Sequence, residues 1–151
     1  MRLTNGFDIS SSALTAQRFR MDVISSNIAN ADSTRAQMVN GKWVPYHRKL
    51  VSFEPKQQKF AESLANAMSG KNSGAGNGVR VTQVIDDPSP FRQQYDPTHP
   101  DADENGMVLL PNVDILKEMV DMISATRSYE ANVTALNASK AFIGKALEIG
   151  K

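Results

Sequence analysis

From Ile115 to Leu147 a single register of alternating three- and four-residue steps links Ile115, Met119, Met122, Thr126, Tyr129, Val133, Leu136, Lys140, Ile143 and Leu147. Only Thr126 and Lys140 interrupt its apolar character. Such a pattern is the a/d seam of a coiled-coil-like helix, and no strand periodicity survives that distance. Pro111-Asn112 supplies a start with Asn112 as N-cap, Asp114 and Glu118 sit near the positive dipole end, and Gly150 fits a C′ stop. A helix of that extent is roughly 55 Å long at 1.5 Å per residue. That is too long for a compact domain of 151 residues.

The same helix carries a second apolar stripe. Val113, Leu116, Val120 and Ile123 line another face of its first half, and Ala131, Ala135, Ala138 and Phe142 continue a small-residue face in its second half. One partner helix covers one seam, so an additional face calls for further neighbours. At the other end of the chain, Phe7, Ser10, Leu14, Gln17, Met21, Ile24, Ile28 and Ala31 form a shorter seam, with six of the eight apolar. Ala13, Ala16, Val23 and Ala29 widen it, while Arg18, Arg20, Asp22, Ser26 and Asn30 mark a polar face. Asn5 or Asp8 is placed to cap this helix, and the poor helix formers Asn30 to Thr34 end it. This shorter helix cannot cover two faces of the longer one, which favours packing against other subunits.

Between the helices the character changes. Trp43-Val44-Pro45-Tyr46, Leu50-Val51-Ser52-Phe53, Val79 to Ile85 and Met107 to Leu110 read as short strands. A short helix fits Phe60 to Met68, and residues 69–78 have the composition of a flexible Gly-rich loop. Prolines at 88, 90, 97 and 100 argue against regular structure from Asp87 to Pro100. The fold class is therefore α+β. Residues 1–35 and 111–151 make a coiled-coil-like terminal helical domain for assembly, and residues 36–110 make a small, irregular, β-rich middle domain.

Several function classes fall away. With no cysteine there is no disulfide, thiolate nucleophile or cysteine-ligated zinc. A formal net charge of +1, without a basic run interleaved with aromatics, gives no nucleic-acid footprint. The longest apolar run, Met107 to Leu110, is far short of the ~18 residues of a spanning helix, so no direct membrane insertion is expected. Met1 to Gly6 has no apolar core of a cleavable signal. His47 and His99 lack metal-ligand spacing; His47 is expected exposed or hydrogen-bonded, and His99 in a loop. Asp101-Ala102-Asp103-Glu104-Asn105-Gly106 matches the first half of a calcium loop, but Asn112 replaces the bidentate Glu, so a polar turn closed by Gly106 is the better reading. No catalytic residue, metal or cofactor is assigned. A self-contained cytoplasmic helical adaptor or chaperone is the competing reading of the same pattern.

The stretch Ala13 to Asp32, centred on Asn27-Ile28-Ala29-Asn30, closely resembles the N-terminal signature of the bacterial flagellar rod and hook proteins. Asp87 to Arg92, Tyr95 to Asp103, Gly106 to Asp114 and Glu118 to Asn132 are similar to a proximal rod member of that family. The resemblance implies a structural subunit, exported by the flagellar type III apparatus without a cleaved signal. It would polymerise through its terminal helices into a helical tube that surrounds the export channel and transmits motor torque. It implies a place in the basal body, within the periplasm or cell-wall space. The implied partners are copies of itself, other rod proteins, and MS-ring, export-gate and rod-adaptor components. On the apolar seams, the assembly interface is expected at Leu14, Met21, Ile24, Ile28, Met119, Met122, Tyr129, Val133, Leu136, Ile143 and Leu147, and the resemblance adds Asn27 and Asn30 of the shared signature. The termini are expected to gain order on polymerisation.

Overall fold

A computed structural model of the chain describes residues 5–39, 41–56, 64, 68 and 78–149. Helix α1 spans Asn5–Ala29 and helix α2 spans Ile115–Ile149. Between them lie strands β1 (Gln37–Val39), β2 (Lys42–Val44), β3 (Lys49–Pro55), β4 (Val79–Asp86), β5 (Arg92–Tyr95) and β6 (Met107–Leu110). Long terminal helices with small strand pairs between them make an α+β chain. Among the described residues the strands form three separate two-stranded sheets, β1–β2, β3–β4 and β5–β6. Among the described residues, no helix is long and apolar enough to cross a membrane.

The helix ends follow local chemistry. Helix α1 stops where Asn30 turns its amide back onto the Ser26 carbonyl (Nδ2···O 2.8 Å), and Asn30 to Thr34 leave the helix. Asn5 to Phe7 are already helical, so Asp8 lies within the helix rather than at a cap. Helix α2 starts later than the sequence suggests. Asp114 is the cap, its Oδ1 accepting from the backbone N–H groups of Leu116 (3.0 Å) and Lys117 (3.3 Å). The expected cap, Asn112, is used elsewhere. At 35 residues, α2 is about 52 Å long.

Three middle-segment readings need correction or lie outside the described residues. The proline-bounded stretch does hold a strand, because Pro90 and Pro97 leave room for the four residues of β5, which pair with β6 from Arg92↔Leu110 to Tyr95↔Met107. Strand β1, antiparallel to β2 with Met38 opposite Trp43, is too short to show a period. The helix expected at Phe60 to Met68 lies mostly outside the described residues, of which Leu64 and Met68 are helical, and residues 69–77 and Gly150 lie outside them too.

The chain divides into two compact units, each taking a piece of both helices. One contains Met1–Phe19, Ser52–Gln83 and Ala125–Lys151. In it Ala16 and Ala125 are buried, and Gly6 approaches Ser139, as antiparallel helices require. Gly78 there has φ +93° and lies so close to α1 that a Cβ would collide with Ser12. The Ser12 hydroxyl donates to the Ile9 carbonyl (2.7 Å) and accepts from the Val79 N–H (3.1 Å), fastening the start of β4 to the helix. The other unit contains Arg20–Val51 and Val84–Ser124. Its interior joins apolar Ile24, Ala31, Val108 and Val113 to a group of buried polar side chains.

Candidate functional site

That polar group lies inside the second unit and begins with Asn27, only 1% exposed. Its Nδ2 donates to the Lys49 carbonyl (2.9 Å) and to Glu118 Oε2 (3.0 Å). Its Oδ1 accepts from the Lys49 N–H (2.9 Å) and the Tyr46 hydroxyl (3.1 Å). The side chain thus pairs with the Lys49 backbone as a neighbouring strand would, and all four of its hydrogen-bonding positions are filled. The Asn27 amide ties α1 to the start of β3 and to α2 at once.

Arg48 is the second centre. Its Nε and Nη2 both reach Glu118 Oε1 at 2.6 Å, Nη1 reaches Asp87 Oδ2 at 3.3 Å, and Nη2 reaches Asp121 Oδ2 at 3.5 Å. Arg20 meets the other oxygen of Asp121 at 3.2 Å. Asn112 accepts from the Arg48 N–H (2.8 Å) and donates to the carbonyls of Asp87 and Ser89 (both 3.1 Å), which is why it does not cap α2. Burial opposes the Arg48 charge, but the bonds to Glu118 and Asp87 outweigh it and hold the guanidinium pKa above its ordinary value. The Asp87 carboxyl is held below the usual carboxylate range, first by the Ser89 hydroxyl and N–H and also by Arg48.

A smaller knot secures the loop before β6. Asp101 accepts from Arg35 Nε (2.7 Å) and Thr34 Oγ1 (2.9 Å), and these bonds, Arg35 foremost, hold its carboxyl below the ordinary range. Gly106, at φ +72°, donates to the Asp103 carbonyl (2.8 Å), closing a polar turn. Asp101 is therefore committed to a cation of the chain itself. His99 Nδ1 accepts from the Asp101 N–H at 3.1 Å. His47 departs from expectation: its ring lies 4.4 Å from that of Phe91, and its buried Nδ1 has no hydrogen-bond partner among the described residues.

The residues assigned to an assembly interface fall into three groups. Ile24 and Asn27 are buried in the chain's own interior. Leu14, Met21, Ile28, Asn30, Met122, Tyr129, Val133, Leu136 and Ile143 are half-buried. Met119 and Leu147 are exposed, as is Ile115, so the seam of α2 is not continuously covered. In the first half of α2 the inward positions are Glu118 and Ala125 rather than Ile115 and Met119, because Arg48 requires a carboxylate. Ser26 and Asn30, assigned to a polar outer face, are half-buried against Tyr46 and the helix end. Opposite the polar centre, Leu116, Val120 and Ile123 stay open.

Sequence reasoning missed Arg48, Asp87, Asn112 and Glu118 as a unit. Arg48 adjoins Lys49, Asp87 adjoins Asp86 and Glu118 adjoins Lys117, so each reads as part of an ordinary polar stretch and the sequence carries no local signal of the centre.

The buried asparagine lies in a stretch shared with known proteins. The family model "Flagella basal body rod protein" matches residues 7–37, and "Flagellar basal body rod FlgEFG protein C-terminal" matches residues 104–149. The flagellar basal-body rod protein FlgC of Bacillus subtilis (strain 168) is 58% identical over 151 residues, covering 100% of both chains. Those of Borreliella burgdorferi (43% identical over 153 residues, 99% of this chain and 98% of the relative) and Salmonella typhimurium (42% identical over 151 residues, 100% of both) are also similar. The chain belongs to the FlgC family of flagellar basal-body rod proteins. That family is structural, its members assemble with other rod components, and its place is the flagellar basal body. The adaptor or chaperone reading is not favoured. In this light Asn27-Ile28-Ala29-Asn30 is a folding element: Asn27 joins three segments and Asn30 closes the helix.

Proposed function

We propose that this subunit is non-catalytic and is built into the proximal rod as one element of a helical tube around the export channel. Residues 1–35 and 111–151 make the contacts that hold the tube together, and residues 36–110 form its outer part. The observation that carries this reading is the open face of α2, where Leu116, Val120 and Ile123 are 76%, 67% and 60% exposed. A contiguous row of large apolar side chains left in water marks a surface meant for a partner. The half-buried seam residues, including Leu14, Tyr129, Val133 and Leu136, keep surface for the same purpose.

Torque passes through many such contacts in parallel. Copies of the chain, other rod proteins, and MS-ring, export-gate and rod-adaptor components are the partners. Export by the flagellar type III apparatus delivers the chain to the periplasm or cell-wall space. A chain without cysteine has no disulfide to break or re-form on that route.

Ile123→Asp tests the reading better than Leu136→Asp, because Leu136 is half-buried and its replacement also weakens the fold. The Ile123 variant is expected to unfold at an unchanged urea concentration, while the subunit recovered in basal bodies falls at least tenfold and swimming stops. Normal incorporation and swimming would contradict the assignment.

A further inference from the structure

We propose that the β1–β2 hairpin of one copy docks on the open α2 stripe of the next copy, a contact from the middle segment added to those of the terminal segments; the inference rests on the rod-subunit reading above. Within the unit that contains Arg20–Val51 and Val84–Ser124, the hairpin is a second exposed apolar feature. Met38 and Trp43 lie directly opposite each other and are 57% and 49% exposed. Two strands of three residues each are marginal in water by themselves, so a hairpin that presents Trp and Met gains from a surface to lie on. Trp and Met are also the side-chain types enriched where protein partners bury contact.

The two surfaces match in length and differ in shape. A three-residue strand covers about 10 Å. The seven steps from Leu116 to Ile123 also cover about 10 Å of helix. The stripe is an aliphatic ridge, and the hairpin offers a broad aromatic–thioether pair. Both patches remain open within one chain, so the contact joins different copies. A contact between two unlike patches is heterologous and propagates, as a tube requires. With Met38 and Trp43 on one side and Leu116, Val120 and Ile123 on the other, the contact is far smaller than the roughly 20–30 residues a side of a stable pair. The contact therefore forms as one of many in the assembled rod and not as a dimer in dilute solution.

The absence of cysteine makes the test direct. Met38→Cys and Val120→Cys chains are co-produced in flagellated cells, isolated basal bodies are treated with diamide, and cross-linked pairs are quantified. The mixed disulfide, which joins position 38 of one chain to position 120 of another, is expected to exceed either self-pair at least tenfold. Dominant Val120→Cys self-pairs, or no cross-link in basal bodies that contain both variants, would overturn the docking while leaving the rod reading intact. Absence of even the unsubstituted subunit from basal bodies would instead overturn the rod reading. As a second arm, Trp43→Ala is expected to lower incorporation at least tenfold with unchanged unfolding, and wild-type incorporation of that variant would overturn the docking.

Discussion

A buried charge is costly to strand, and the Arg48–Glu118 pair shows where that cost falls. Three acidic side chains hold Arg48, with Asn27 filling the second oxygen of Glu118. The pair's net contribution to stability is small because both ions gave up water, yet removing one partner leaves the other uncompensated. Glu118→Ala is therefore expected to lose about 3–5 kcal/mol in urea unfolding. Replacing both, Arg48→Met with Glu118→Leu, should recover most of that loss. A double variant as weak as Glu118→Ala would show that the pair itself stabilises the fold. The lowered carboxyls of Asp87, Asp96 and Asp101 define an acid limit. A carboxyl whose folded pKa is depressed stabilises the fold above its unfolded pKa of about 3.9 and loses that contribution as pH falls toward the folded value. Stability followed by denaturant titration should be flat above about pH 5 and fall below about pH 4. A fall already complete by about pH 5 would contradict this assignment.

At the level of elements, the strongest periodic signals were legible and the polar exceptions were not. The existence, type and approximate length of α1 and α2 follow from their apolar spacing, and β6 follows from Met107 to Leu110. Cap and phase of α2 were lost because they depend on long-range partners: Asn112 is drawn to Arg48 and Asp87, and Glu118 takes an inward position that an apolar rule would refuse. Gly78 read as linker composition, whereas its positive φ and its approach to Ser12 make it a packing residue. The expectation that both termini gain order on assembly is narrowed by these contacts to the far end of α2. The Asn27 and Glu118 bonds anchor the end of α1 and the beginning of α2, while Phe142 and Leu147 at the far end of α2 are exposed. Hydrogen exchange on dilute monomer should therefore show strong protection around Ile24 to Ile28 and Glu118 to Met122, and little beyond Phe142. Uniformly weak protection across both helices would contradict it.

For the whole molecule, the open stripe of α2 is the feature on which the proposed assembly rests. The sequence displayed it as an extra row of apolar residues on a helix that already had a seam, and the structure leaves Leu116, Val120 and Ile123 uncovered. What the sequence could not display is how the interior is divided. Asn27 and Ile24, assigned to contacts between subunits, are buried in the chain's own interior, and the exposed apolar row lies on the other side of α2. Family membership and this uncovered face together support a subunit whose fold is completed by its neighbours. The most direct measurement is an electron cryomicroscopy map of the assembled basal body at side-chain resolution. Leu116, Val120 and Ile123 are expected to pack against an adjacent subunit, and the same three side chains facing solvent in the rod would contradict that role.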